Sequence, residues 1–355
     1  TTKDDAAAGS AAVSVENDGY GASVVVVVDL DDTLAFVGDG AAVFDPTAST
    51  WRVQFGHDLS GLRGLYVAGD RYGWAVGERG RIARLDASSG CWATEGPEAQ
   101  LNGRIVLEAV MTDDAGARGW AVGRREGAGQ LLWMHESEGT PVWRDLSGWV
   151  PGLPGLTDIQ LLRSDPDGTQ QAWLVAPDAG RVLVAGLDGP ATVRIDRQVY
   201  ILDHEGAPAE PREVAMRAGR RAEGWLFGTS AGGELIGWRQ LDPDGWQPAY
   251  RAERALVDLY FDGLAGGSWW LGLGPTDRRS SVLQTADRAD GEALWSSVDT
   301  RSPPLSGGDD GSRAVASLGA GDALYAWGDD VWRYRAADDT WFRVRRRQAL
   351  TDICD

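Results

Sequence analysis

The chain has 355 residues, 43% of them hydrophobic and 25% charged, and carries a formal net charge of −19. That acidity disfavours nucleic acid and anionic membrane as partners through bulk electrostatics and leaves basic or neutral partners. No apolar run approaches the roughly 20 residues a membrane helix needs, and the single lysine, Lys3, removes P-loop and Schiff-base chemistry.

Residues 1–21 are rich in Ala, Ser, Gly and Asp and read as a flexible tail. Beyond them one pattern recurs to the end of the chain. An aromatic or apolar residue opens a short strand core that closes on a small residue: Ala35-Phe-Val-Gly38, the weakest copy, then Trp74-Ala-Val-Gly77, Trp120-Ala-Val-Gly123, Trp173-Leu-Val-Ala176, Trp225-Leu-Phe-Gly228, Trp269-Trp-Leu-Gly272 and Tyr325-Ala-Trp-Gly328. A second anchor follows each core at Trp51, Trp92, Trp143, Trp246, Trp295 and Trp341, with Val193 standing in for Trp in the fourth unit. Most of the 17 tryptophans fall on these positions, which a shared structural place explains better than separate binding sites do.

A period of about 40 to 56 residues with several short strands per unit is the signature of propeller blades rather than helical solenoids. The expected fold is therefore all-β, a seven-bladed β-propeller with four antiparallel strands per blade. Blades are expected at about 22–55, 64–96, 104–146, 158–198, 213–250, 255–298 and 313–347, forming a single domain over 22–348 with a C-terminal tail at 349–355. In the second blade the strands are expected at 64–69, 73–77, 81–85 and 91–95, with the Trp that opens the fourth strand covering the seam between blades.

Along the chain, Phe44-Asp-Pro-Thr-Ala-Ser-Thr-Trp51 suits a tight hairpin. An insertion is expected around 124–130, a rigid connection over 147–157, and the longest connection over 199–212, where Tyr200, Asp203, His204 and Glu205 precede two prolines. Loops of that length in a compact repeat are more often functional than ordinary ones.

The run Gly73-Trp-Ala-Val-Gly-Glu-Arg-Gly-Arg-Ile82, repeated in part as Gly119-Trp-Ala-Val-Gly123, resembles the BNR-like propellers, including the photosystem II assembly and stability factors. The Asp-box of that group is incomplete here: Asp86-Ala-Ser-Ser-Gly-Cys-Trp92 and Asp242-Pro-Asp-Gly-Trp246 keep an Asp, a Gly and the Trp but not the register. The resemblance implies a propeller and a tendency to act as an assembly or docking surface, and transfers no binding residue.

The chemical motifs have simpler explanations. Gly228-Thr-Ser-Ala-Gly232 matches a nucleophile pattern that needs a following helix, and a strand is expected at 235–238 instead. His57-Asp58 and the Asp203-His204-Glu205 group place a carboxylate beside an imidazole, but without the nucleophile or metal partner that catalysis requires. His135 reads as a cross-strand residue, and the Asp-rich turns at 164–168, 309–311 and 329–330 match no calcium-loop spacing. The two cysteines, Cys91 and Cys354, suggest neither a disulfide framework nor a zinc site and favour a reducing, cytoplasmic compartment, with secretion open if a leader was removed. No metal, cofactor or catalytic residue is expected.

The remaining signal is arginine on hairpin loops: Arg79, Arg124, Arg125, Arg181, Arg278 and Arg279. Guanidinium forks suit the carboxylates or backbone carbonyls of a partner, although exposed charge is ordinary at hairpin tips. Arg343, Arg345 and Arg347 place cations on one side of the last strand, which also guards an exposed edge. With Trp149 and His204, these form the expected protein-binding set of a non-enzymatic scaffold within a larger bacterial assembly. The alternatives are a sialidase-like or other glycan-acting propeller enzyme, marked by converging Arg, Tyr and acid groups, and a glycan-binding lectin, marked by a solvent-facing Trp149.

Overall fold

A computed structural model describes residues 29–344 apart from 31–32, 38–40, 46–49, 54–61, 69–71, 87–90, 95–103, 113–117, 138–139, 162–169, 189–191, 218–222, 243–244, 254–255, 263–267, 275–281, 287–294, 298–311, 320–321 and 329. Among the described residues the strands form seven four-stranded antiparallel sheets, each built from four consecutive strands. The first holds β1 (Asp29–Leu30), β2 (Thr33–Val37), β3 (Ala41–Asp45) and β4 (Thr50–Val53). The second holds β5 (Leu62–Ala68), β6 (Tyr72–Gly77), β7 (Ile82–Asp86) and β8 (Cys91–Thr94), close to the expected spans. The third holds β9 (Ile105–Thr112), β10 (Arg118–Arg125), β11 (Ala128–Ser137) and β12 (Thr140–Asp145). The fourth holds β13 (Asp158–Leu161), β14 (Gln170–Ala176), β15 (Arg181–Asp188) and β16 (Thr192–Tyr200). The fifth holds β17 (Glu210–Arg217), β18 (Glu223–Thr229), β19 (Leu235–Asp242) and β20 (Gly245–Ala252). The sixth holds β21 (Leu256–Asp262), β22 (Ser268–Leu273), β23 (Val282–Ala286) and β24 (Ser296–Ser297), and the last β25 (Ser312–Gly319), β26 (Asp322–Gly328), β27 (Asp330–Arg335) and β28 (Thr340–Val344).

The first strands of successive sheets lie side by side, β5 against β9, β9 against β13, β13 against β17, β17 against β21 and β21 against β25. The apolar residues of these strands and their neighbours therefore make a core that runs from sheet to sheet. Tyr66, Ile105, Leu107, Leu132, Leu156 and Ile159 belong to one such buried cluster spanning the second, third and fourth sheets.

Tryptophan closes the seams, as the repeat predicts. The second-strand Trp of one sheet meets edge-on a Trp on, or in the last case immediately before, the fourth strand of the next: Trp74 with Trp143 at 5.3 Å, Trp173 with Trp246 at 5.4 Å, and Trp225 with Trp295 at 5.2 Å between ring centroids. Edge-to-face pairs add to the area these rings remove from water. Between the third and fourth sheets, Val193 takes the fourth-strand place, and the buried Trp120 indole N–H donates instead to Gln170 Oε1 at 3.0 Å.

In two sheets the glycine that ends the strand core has a specific cause. In β9 an extra residue, Glu108, is bulged between Leu107 and Ala109, which pair with Gly123 and Val122. In β17, Arg212 is bulged in the same way between Pro211 and Glu213, opposite Gly228 and Phe227. The bulge swings the first-strand backbone inward, so a Cβ on Gly123 would lie 2.0 Å from the Val106 carbonyl oxygen and one on Gly228 2.0 Å from that of Glu210. In the fourth sheet the β13–β14 ladder begins at Asp158 opposite Val175, and the next residue of β14 is Ala176.

Two expectations need correction. The 124–130 stretch is no insertion: β10 and β11 pair through Arg125 and Ala128, leaving a two-residue turn at Glu126 and Gly127 with φ of 52° and 85°. Arg79 and Gly80 turn the second sheet's hairpin in the same left-handed pair, at 59° and 70°, the geometry of a tight hairpin that matches strand twist. Cys91 is disulfide-bonded, where the sequence suggests no disulfide framework.

Candidate interaction face

The hairpins joining second to third strands and the connections between sheets lie at one end of the sheets and hold each other. In the second sheet, Gly80 N–H donates to the Ile105 carbonyl at 3.0 Å, tying the hairpin tip to the chain entering the third sheet. In the third, Gly129 N–H donates to the Leu153 carbonyl at 2.7 Å and Leu156 N–H to the Gly123 carbonyl at 3.1 Å. In the fourth, Ile201 N–H donates to the Gly180 carbonyl at 2.9 Å. A Cβ at Gly155 would meet the Gly127 carbonyl oxygen, Arg124 and Asp178 within 3.4 to 3.8 Å, so the 150–157 connection is wedged between two neighbouring hairpins.

Side chains complete this fixing. Ser147 Oγ accepts from Leu131 N–H (2.9 Å) and Gln130 Nε2 (2.8 Å), anchoring the 3-10 turn Ser147–Trp149, as the expected rigid connection requires. Asp203 Oδ1 accepts from Glu205 N–H at 2.9 Å and Ala207 N–H at 2.8 Å, closing the 203–207 turn. Trp238 Nε1–H donates to the Leu202 carbonyl at 2.6 Å, and Thr157 Oγ1 donates to the Arg212 carbonyl at 3.1 Å.

On this fixed end, large apolar groups face solvent: Trp149 is 58% exposed, Tyr200 66% and Leu202 45%. Trp149 belongs to the expected set; Tyr200 and Leu202 do not, although the length of their connection marked it. His204 is exposed beside them, and the Asp203 carboxylate serves the turn instead of the imidazole.

The predicted arginines do not form one array. Arg79 sits exposed at its hairpin tip with no ion-pair partner among the described residues. Arg124 Nη2 lies 3.2 Å from Glu108 Oε1, and Arg125 Nη2 lies 3.5 Å from Asp145 Oδ2. Arg181 donates to Gln198 Oε1, and Arg104 pairs with the hairpin residue Glu126. Arg278, Arg279, Arg345 and Arg347 lie outside the described residues; Arg343 stands opposite Trp332 in the β27–β28 ladder.

Sequence reasoning missed a charged cluster at the inner strands. Arg63, bulged in β5, donates to Glu78 Oε1 at 3.0 Å and to Glu108 Oε2 at 3.4 Å, and Arg124 reaches the other oxygen of Glu108. The Glu108 side chain is 5% exposed and Arg63 15%, so these charges are largely desolvated and mutually compensated across two sheets. The signal was present as one carboxylate inside the otherwise apolar run Ile105-Val-Leu-Glu-Ala-Val-Met111. Further along, buried Asp158 accepts from its own sheet at Ile159 N–H and from the fifth sheet at Val214 N–H, both at 2.8 Å. Burial pushes its carboxyl up to about 7, against those two donors, which favour the anion.

The catalytic-looking motifs are occupied structurally. Ser230 Oγ accepts from Gly232 and Glu234 N–H, both at 3.2 Å, in the hairpin before β19. His135 stacks on Trp133 at 4.5 Å along β11. His57 and the Asp-rich stretches at 164–168 and 309–311 lie outside the described residues, and no metal-sized group of His, Cys, Asp and Glu occurs among those described.

No protein-family model matches the chain, and no curated protein does. Solved structures do. A putative 6-phosphogluconolactonase from Bacteroides uniformis is similar at 12% identity and TM-score 0.57, over 95% of each chain. The β-propeller domain of Cps50 (Swd1) from Myceliophteria thermophila is similar at 12% identity and TM-score 0.53, over 88% of this chain and 96% of its own. YCF48 bound to a D1 peptide is similar at 15% identity and TM-score 0.56, over 90% of this chain and 87% of its own. Sequence repeat, sheet arrangement and structural similarity together give this chain the β-propeller fold.

Proposed function

We propose that residues 22–348 form one domain in which the seven sheets close as a BNR-like, seven-bladed ring, and that the ring is a non-enzymatic docking subunit of a larger bacterial assembly. The observation that carries this reading is the exposure of Trp149, Tyr200 and Leu202 on connections held by backbone hydrogen bonds. Aromatic side chains already fixed in place lose little conformational freedom on binding, and Trp and Tyr supply much of the energy of protein interfaces. Arg79, Arg124, Arg125 and Arg181 on the hairpins of the same end would meet the partner's carboxylates or carbonyls around that apolar centre. The similarity to YCF48, itself seen with a D1 peptide, supports a protein or peptide as the partner. The commitment of Ser230 and Asp203 to turns supports a binding role over hydrolysis. Native purification at low and at moderate salt, with mass spectrometry of what accompanies the chain, tests the reading. A stoichiometric protein is expected, weakened at moderate salt to the extent that the arginines contribute.

The exposure of Trp149 also favours a second reading, a lectin that stacks a sugar ring on the indole. Titration of a glycan panel followed by tryptophan fluorescence, compared with Trp149→Ala, separates the two.

A further inference from the structure

β16 ends the order of the fourth sheet, so one of its edges has no strand beside it among the described residues. Among those residues it is the longest fourth strand, with 9 residues against 4, 4, 6, 8, 2 and 5 in the other sheets. The next two in length, β20 and β12, carry Pro248 and Pro141, which lack the N–H that an added strand needs. β16 has no proline, one of the common guards of an open edge. Its one irregularity is a bulge at Asp196, which leaves Arg197–Tyr200 an even run.

The register says which main-chain groups this run turns outward. Ile201 N–H donates to the Gly180 carbonyl, one step beyond the pair of Arg181 and Tyr200. In an antiparallel ladder, pairs that exchange hydrogen bonds alternate with pairs that do not. Tyr200 and Gln198 therefore stand in non-bonded pairs, and their N–H and C=O groups face away from β15, toward the open edge. Both residues are exposed, and Tyr200 leads to exposed Leu202 on the candidate interaction face. The paired residues 181–184 and 197–200 carry Arg181 and Arg197 and no acid, in a chain of net charge −19.

We propose that this edge takes up an extended, acidic segment of the docking partner as a fifth strand. The segment's main chain bonds Gln198 and Tyr200, an apolar side chain of it packs beside Tyr200, and its carboxylates meet Arg181 and Arg197. Strand addition presupposes the docking reading and specifies the form of the partner's contact.

The probe is the protein that co-purifies with wild type. Gln198→Pro removes one outward N–H and no ladder bond, at a place where a sheet tolerates proline, whereas Gln198→Ala keeps that N–H. Gln198→Pro is expected to retain less of the partner by about tenfold or more, and Gln198→Ala to retain it as wild type does. Hydrogen exchange of wild type with and without the partner needs no variant to fold, and binding should slow the amides of residues 198 and 200 by about tenfold or more. Equal retention by wild type and Gln198→Pro, equal losses in Gln198→Pro and Gln198→Ala, or no slowing at 198 and 200 overturns strand addition and leaves the docking reading standing. A wild type that purifies bare overturns both. A wild type that is a dimer by light scattering, and a monomer as Gln198→Pro, puts a second copy of the chain on the edge and overturns the proposal of a foreign segment.

Discussion

Trp74 of the second sheet and Trp143 of the third meet edge-on across the seam between them, with ring centroids 5.3 Å apart and planes at 80°. The same pairing recurs at two later seams. These rings sit where two neighbouring sheets must become one core, so cutting one away leaves a cavity that neither sheet alone can fill. Trp143→Ala is expected to lower stability by about 3–5 kcal/mol. Trp149→Ala, at an exposed place a few residues on, should stay within about 0.5 kcal/mol. Denaturant unfolding of the two variants side by side checks the contrast.

Gly123 faces the Val106 carbonyl at a distance that admits no Cβ. Gly123→Ala must push the bulged β9 backbone away and disturb Glu108, whose bulge carries the ion pairs to Arg63 and Arg124. A loss of about 2 kcal/mol or more is expected. Ala176→Gly, at the equivalent place in the fourth sheet, where a Cβ is already accommodated, should cost no more than about 1 kcal/mol. Equal losses from the two, in urea denaturation, would show that the bulge is not the reason for glycine.

Asp158 makes stability depend on pH. Its carboxyl is pushed up to about 7 by burial, whereas in the unfolded chain it releases its proton near about 3.9. Between those values the folded state holds a proton that the unfolded state has lost. Stability from this group therefore falls as pH rises through that window, by up to about 1.4 kcal/mol per pH unit. Asp158→Asn removes the titration but leaves an amide where one backbone N–H donor needs an acceptor. It should be the weaker protein at about pH 5, with the gap to wild type narrowing towards about pH 7. A gap constant with pH, in unfolding free energies across that range, would place the titration elsewhere.

Much of this was legible because propeller geometry repeats. The Trp spacing marked the strand cores and seam positions, and Val193 stood out as the seam without its ring. What replaced that ring, Gln170 on Trp120, was not legible, since it depends on which side chain of the next sheet lies within reach of an indole N–H. The charged run Arg124-Arg-Glu-Gly127 looked like an insertion because charge suggests solvent, yet a two-residue left-handed turn needs only Glu126 and Gly127. The inner cluster of Arg63, Glu108 and Arg124 arises from bulges in different sheets, which sequence spacing does not encode. Of the expected binding residues, Trp149 and Arg79 are exposed, whereas Arg124 and Arg125 are engaged by carboxylates of their own sheet.

The docking claim is tested most directly by purifying wild type and the Trp149→Ala/Tyr200→Ala double variant in parallel from the cells that make the protein and quantifying what each retains. Both side chains are exposed, so the variant should fold and melt as wild type does. The account predicts a stoichiometric protein partner on wild type that the variant loses. The same partner held equally by both, or a bare monomer from wild type at low and moderate salt alike, would contradict it.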